Sequence, residues 1–253
     1  MKVLITGSKG FIGRNLIEVL QEIPEIVILP FDKDDNITLL SKYARSCDFV
    51  FHLAAVHRPV DHSEFDSVNR LFFEDLLFML QINKNACPVL LTSSIHSGTD
   101  TDYGRSKLAA EKALREHSEK MKSRAIIYRL TNTFGKYALP NHHSVVATFC
   151  YNIVNELEVT VSNTEKVMQL YYIDDVIKSF LNKMYNTEEP NVDGYYYLPR
   201  NQMYSVTLRE LLDTLFELNQ LYKESRAPEL KDEFKIKLYH TFLYYRLNQK
   251  VLQ

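Results

Sequence analysis

Tyr103 and Lys107 stand four residues apart in the stretch Tyr103-Gly-Arg-Ser-Lys107. On a helix that spacing puts both side chains on one face. A free tyrosine titrates near ~10. An ammonium beside it stabilises the phenolate, bringing the phenol toward a range useful for acid–base work. Of the sixteen tyrosines only Tyr103 has a lysine four residues on. Shortly upstream, Ser94 closes the run Thr92-Ser93-Ser94, where its hydroxyl is placed to hydrogen-bond a substrate oxygen, with Ile95 and His96 beside it. The structural alternatives are a surface tyrosine–lysine pair and a loop serine that satisfies backbone.

A second chemical signature opens the chain. Gly7, Gly10 and Gly13, three of only seven glycines, follow the apolar run Lys2 to Thr6 and lead into an apolar-periodic segment through Phe11, Ile12, Leu16, Ile17 and Leu20. Strand, glycine turn and helix form the context in which glycine spacing signals a dinucleotide site. The turn brings backbone N–H groups close to a pyrophosphate, and the helix start faces the anion with its dipole. Gly7, Ser8, Gly10, Phe11, Ile12 and Gly13 are the expected cradle. Asp32 lies about twenty residues beyond the loop, where an acid accepts ribose hydroxyls, and Lys33 is adjacent.

The elements that must position these groups alternate. Glu25 to Phe31, Asp48 to Leu53, Pro88 to Thr92 and Ala125 to Leu130 read as strands. Ser63 to Gln81 and Tyr103 to Met121 read as helices, the latter carrying Glu111–Arg115 and Glu116–Lys120 pairs at i, i+4. Small Ala54 and Ala55 follow Leu53 and let backbone approach a bound cofactor. This alternation implies an α/β fold, a doubly wound, mainly parallel sheet wrapped on both faces. The second half is less regular. Lys166 to Ile173 reads as a strand before Asp174, Asp175 and a helix. A clear amphipathic helix follows Thr207, and the tail from Leu230 mixes charged and aromatic residues.

At 253 residues the chain buries a core easily, and its formal charge of −2 is spread without a basic block for nucleic acid. Cys47, Cys87 and Cys150 are odd in number and far apart, which suits a reducing cytoplasm and makes no metal spacing. No signal peptide or membrane-length apolar run is expected. His142 and His143 are not expected to bind metal, because adjacent positions on a helix diverge and no acidic or cysteine partner stands at ligand spacing.

Together, Gly7-Ser-Lys-Gly-Phe-Ile-Gly13, His52-Leu-Ala-Ala55, the serine cluster and the Tyr103–Lys107 motif resemble the extended short-chain dehydrogenases/reductases. The resemblance implies a Rossmann fold with a small C-terminal substrate lobe. It also implies that Tyr103 exchanges a proton with a sugar oxygen, Ser94 steadies that oxygen, and Lys107 holds the nicotinamide ribose and tunes Tyr103. A narrower resemblance rests on Asn69, Arg129-Leu-Thr-Asn-Thr-Phe-Gly135, Pro140-Asn141, Ser144-Val-Val-Ala-Thr-Phe-Cys-Tyr151, Tyr172-Ile-Asp-Asp175 and the short gap between Ser94 and Tyr103. These look like the reductase half of the capsular-polysaccharide enzymes that reduce a UDP-linked 4-keto sugar with NADPH and carry a metal-binding cupin domain that epimerises C3.

That resemblance implies a cytoplasmic, NAD(P)H-dependent reductase of the C4 ketone of a UDP-2-acetamido-2,6-dideoxy-hexos-4-ulose, serving capsule synthesis. The chain stops where the cupin would begin, so C3 epimerisation is left to a separate partner, if there is one. Asn69 and Leu130 join the cofactor residues, and Asn132, Asn141, His142 and Ser144 the substrate residues, with structural roles as the alternative. His57, Arg58 and His62 are candidates for the substrate diphosphate. Asp32 favours NADH, whereas the resemblance favours NADPH. Residues 1–134 and 165–187 form the expected cofactor lobe, and 135–164 and 188–253 the substrate lobe. A homodimer through the helices 63–81 and 103–121 is expected by analogy. The rivals are a sugar-nucleotide 4-epimerase with tightly held NAD, and a nucleotide-sensing regulator without turnover.

Overall fold

Val3, Leu4 and Ile5 are completely buried in succession, as expected of a strand covered on both faces. They belong to β1 (Lys2–Thr6), which lies inside a five-stranded parallel sheet with β2 (Val27–Phe31), β3 (Phe49–His52), β4 (Val89–Ser94) and β5 (Ala125–Leu130), in the order β2-β1-β3-β4-β5. The computed structural model describes residues 1–249 apart from Arg58, His143, residues 187–189, Val192 and Leu230. The expected strands are present to within a residue or two at their ends.

The chain divides into two compact units, Met1–Leu130 with Ser179–Tyr197, and Thr131–Lys178 with Leu198–Gln253. In the first, Leu4, Val50, Val89, Leu91 and Ile127 pack under α2 (Ile37–Ala44), α4 (Phe72–Ile82) and α5 (Asp102–Met121) through Leu40, Phe73, Leu76, Leu80, Ala110 and Leu114. On the other face α1 (Phe11–Gln21) buries Leu16 and Leu20. There Phe180 stacks against Phe51 at a centroid separation of 6.1 Å and packs tilted against Tyr128 at 5.0 Å. Helices thus cover both faces, and the sheet is doubly wound. The sheet's order reverses between β1 and β3, so their carboxyl ends open the crevice in which such folds take ligands.

Helix 63–82 is interrupted. A short α3 (Ser63–Asp66) runs into a π-helical turn at Ser67–Leu71 before α4. The wider turn carries buried Asn69. Helix α2, capped by the Asn36 side chain on Thr38 N–H, goes unrecognised in the sequence because so short an element carries little periodicity.

The second unit holds β6 (Asn132–Phe134), β7 (Val167–Tyr172) and β8 (Tyr204–Thr207) in one mixed sheet, β6 parallel and β8 antiparallel to β7. It also holds α6 (Val145–Val154), α8 (Leu208–Lys223) and α9 (Glu233–Leu247), which pack on one another. Strand β7, which the sequence groups with the cofactor lobe, lies in this unit, as does α7 (Ile173–Tyr185) up to Lys178. Helix α8 starts on a reciprocal capping box between Thr207 and Glu210. The mixed tail is helical over α9. It buries Leu238, Thr241, Phe242 and Tyr245 on one face, but apolar and aromatic residues also lie around the rest of the helix, which is why periodicity misses it. Among the described residues no helix is long and apolar enough to cross a membrane.

Candidate active site

Gly7 follows β1 with φ +68°, and a Cβ there would stand 2.7 Å from the Ala54 backbone nitrogen just beyond β3. Only glycine permits both the backbone turn and the close approach. A Cβ on Gly13 would fall 2.2 Å from the Gly7 carbonyl oxygen, so the first turn of α1 lies tight against the loop. That turn has no side-chain cap and no acidic residue. Unpaired first-turn N–H groups without an anion of their own suit a pyrophosphate. These residues fit a dinucleotide.

At the end of β2 the Asp32 carboxylate accepts from Lys9 N–H at 2.7 Å and from Lys33 N–H at 2.9 Å. It therefore ties the glycine loop to β2 while remaining half-buried. The Lys9 ammonium pairs with Asp34 at 3.2 Å on the surface, and Lys33 is exposed. Ser8 is buried and donates its N–H to Phe31 O. Leu53 N–H donates to Thr6 O, and Ala54 N–H reaches Thr6 Oγ1, so 53–55 continue the line of β3 past the glycine turn. His52, behind them, shares a 2.9 Å hydrogen bond with Thr6 Oγ1. Burial, aided by the Lys107 charge, pushes its imidazole down to about 3, so the ring is neutral.

The candidate acid–base residues lie at the end of β4. Thr101 caps α5 by accepting Gly104 N–H at 3.0 Å, and the helix then sends Tyr103 and Lys107 back over the strand. The Ser94 hydroxyl lies near enough to the Tyr103 phenol to favour its ionised form and accepts His96 N–H at 3.1 Å. Lys107 is buried, donates to Thr92 O at 3.0 Å, and lies 5.9 Å from the Tyr103 ring centroid. Burial pushes its ammonium down to about 8, with Glu111 pulling in the opposite direction. The expectation that Lys107 brings the phenol down needs correcting. In the protein alone, burial raises Tyr103 and the nearby Ser94 hydroxyl opposes it, because desolvating a phenolate outweighs an ammonium held on a carbonyl.

A second correction concerns Glu111. It does not pair with Arg115. Its carboxylate, 1% exposed, accepts the Ser93 hydroxyl and is bridged by Arg129 through Nε (3.0 Å) and Nη2 (2.8 Å). Arg115 instead donates to Gly194 O, and its guanidinium lies 4.6 Å from the Tyr195 ring centroid. Lys120 bonds Gln81.

The sequence leaves the Glu111–Arg129–Ser93 group unrecognised; its one signal is that Glu111 stands four residues beyond Lys107 on the same helix face. His57 is also found against Tyr103, ring centroids 4.4 Å apart, and His62 binds Asp102 at 2.8 Å. Arg58 and His143 lie outside the described residues. Asn69 is buried with its amide taken up by Val56 N–H, Val56 O and Ser106 Oγ. Leu130 ends β5 and accepts Ile95 N–H, while Ile95 and His96 are exposed.

The first unit thus brings together the glycine loop, Asp32, residues 53–55, Ser94, Tyr103 and Lys107. Ile95, His96, His57 and His62 belong to the same unit, whereas the substrate candidates Asn132, Asn141, His142 and Ser144 belong to the second. Asn132, exposed on β6, reaches Gln169 O at 3.4 Å. Asn141 and His142 sit exposed in a turn, Asn141 with φ +58° and its N–H on Thr148 Oγ1. Ser144 caps α6 by accepting Ala147 N–H at 3.3 Å.

Residues 3–193 match the NAD dependent epimerase/dehydratase family. The chain belongs to that family. Over 243 residues, 96% of this chain, it is 36% identical to a UDP-2-acetamido-2,6-beta-L-arabino-hexul-4-ose reductase of Pseudomonas aeruginosa. Among solved structures it is similar to the capsular polysaccharide assembling protein CapF of Staphylococcus aureus, at TM-score 0.84 and 33% identity over 97% of the chain. The chain spans 64% and 65% of the lengths of these two proteins. A UDP-glucuronic acid 4-epimerase of Bacillus cereus, solved with NAD, has TM-score 0.80 at 16% identity over 99% of this chain and 98% of that one, a likeness of fold alone. The doubly wound Rossmann architecture expected from the sequence is therefore the family's.

Proposed function

We propose that the chain reduces the C4 ketone of a UDP-2-acetamido-2,6-dideoxy-hexos-4-ulose with NAD(P)H. The observation that carries the reading is the convergence of Ser94, Tyr103 and Lys107 at the carboxyl end of β4, beside the glycine cradle. The Pseudomonas reductase and CapF, similar along nearly the whole chain, support the substrate class. When bound, the reduced nicotinamide supplies the hydride. Tyr103 gives its proton to the sugar oxygen as negative charge develops there, and the Ser94 hydroxyl holds that oxygen in place. Lys107 retains its charge and stabilises the phenolate left behind. Holding both reactants in one crevice supplies much of the acceleration. Asp32 is positioned for ribose hydroxyls and Lys33 for a 2′-phosphate, so both reduced cofactors are substrates to compare.

Ser94, Ile95, His96, Asn132, Asn141, His142 and Ser144 are the residues we assign to the sugar nucleotide. The protein works in the cytoplasm as a homodimer on a capsule precursor.

The test is loss of reduced-nicotinamide absorbance, with NADPH and with NADH, on a UDP-4-keto-6-deoxy-HexNAc mixture of C3 epimers. Oxidation matched by a new sugar nucleotide is expected. No oxidation, with cofactor already bound to the purified protein, would replace the reading by an epimerase.

A further inference from the structure

Three residues of α5, Tyr103, Lys107 and Glu111, reach three successive residues of β4. Tyr103 meets the Ser94 hydroxyl, Lys107 donates to Thr92 O, and Glu111 accepts from Ser93 Oγ. Spaced at i, i+4 and i+8, they share one helix face. Arg129, which pairs with Ser93 in the register of β4 and β5, closes a two-point bridge on the same carboxylate. The outer side of its guanidinium is covered by the Tyr195 ring, centroid 3.7 Å away. The side chain of Tyr195 thus shields the bridge. Burial alone would push the Glu111 carboxyl up. Hydrogen bonds from Arg129 and Ser93 more than offset it, so the group is an anion.

Lys107 lies in a slot almost without charge. On β3 it faces His52, which is neutral, and on β4 only the Thr92 carbonyl. From the π-helical turn comes Asn69, whose amide binds Ser106. On its own helix it faces the Tyr103 phenol and Glu111. A desolvated ammonium with so little compensation sheds its proton readily.

We propose that Glu111 is a positioning residue for the catalytic set: clamped by Ser93 and Arg129, its carboxylate is the fixed counter-charge that keeps Lys107 an ammonium within its desolvated slot. The same clamp holds α5 in register with β4, so the charge and the placement of Tyr103 over Ser94 depend on one group. The kinetic consequence rests on the reductase reading; the charge state of Lys107 does not.

The experiment is an NMR titration of the full chain labelled with 13C,15N-lysine, the Lys107 side-chain signal being assigned by its loss in Lys107→Arg. Glu111→Gln keeps the shape and removes the charge. Its Lys107 midpoint is expected to fall by about one pH unit, and Glu111→Asp, which restores the charge, to bring it back. The reductase rate of Glu111→Gln should then drop about fivefold at pH 8 and hardly at pH 6, the ratio set by a one-unit shift of a group titrating near 8. A purely structural defect would lower both rates alike.

A folded Glu111→Gln protein with an unchanged midpoint overturns the proposal. If that variant does not fold, Glu111→Gln/Arg129→Gln carries the same test without leaving a lone buried cation, and the same two outcomes decide. Absence of any turnover by the unmodified protein would defeat the reductase reading, while the titration still decides the role of Glu111.

Discussion

Two lysines, one in each unit, sit beside tyrosines and are driven in opposite directions. Lys107 lies 5.9 Å from the Tyr103 ring centroid and Lys237 5.2 Å from that of Tyr204. Both are largely withdrawn from water. Lys237 Nζ, however, donates to Asp175 (2.8 Å), the Tyr204 hydroxyl (2.8 Å) and Glu233 (2.7 Å). Burial lowers it, but those three partners together hold it above its ordinary range. Lys107 has a carbonyl and the field of Glu111, and burial takes it down to about 8. A fully compensated lysine is a structural tie. An under-compensated one costs stability and keeps a charge available for a phenol or a ligand.

That contrast breaks most easily at the tyrosine. Tyr103→Phe should cut the reductase rate about a thousandfold, the scale of a lost general acid, and leave cofactor binding measured by fluorescence unchanged. An undiminished rate would remove Tyr103 from the chemistry.

Lys237→Met, in contrast, should cost stability. Asp175, only 17% exposed, loses its partner, and orphaning a buried charge costs about 3–5 kcal/mol. Chemical denaturation measures it, and a loss below about 1 kcal/mol would show that Lys237 is not the tie described.

Lys107→Met should move the other way. Removing a charge whose burial shifts its titration from 10.5 to about 8 gains about 3 kcal/mol, and losing the Thr92 hydrogen bond returns about 1. The variant should be about 2 kcal/mol more stable at pH 7 and inactive. Its pH dependence gives the sign. The folded lysine is depressed, so between pH 8 and 10.5 the unfolded chain holds a proton the folded chain has released, and stability rises with pH across that window. Lys107→Met should lose that rise, and the proposed reductase activity of the unmodified protein should fall as pH climbs past about 8.

Asp32 extends the comparison to an anion that accepts from two backbone N–H groups. Asp32→Ala should shift the ratio of the NADH and NADPH dissociation constants about tenfold toward NADPH, the worth of one charge near a 2′-phosphate. An unchanged ratio would confine Asp32 to tying the loop.

Much of this was determined by sequence alone. The glycine spacing, the apolar runs of β1 to β5 and the motif linking Tyr103 to Lys107 are local patterns, because backbone geometry and helix periodicity act over a few residues. They suffice for the family's architecture and for nominating Ser94, Tyr103 and Lys107 as the candidate site. Partner choice was not legible. Glu111 has Arg115 one turn away in sequence, yet binds Arg129 on a neighbouring strand, since only strand register brings β4 and β5 beneath α5. Short β6 and β8 and the mixed charged and aromatic α9 show no clear period in the sequence and form because other elements cover them. The titration of Lys107, and whether it or Lys237 is the under-compensated lysine, is likewise a tertiary property. It depends on how much water is excluded and which opposite charges are carried in from distant parts of the chain, and neither quantity is written in local sequence.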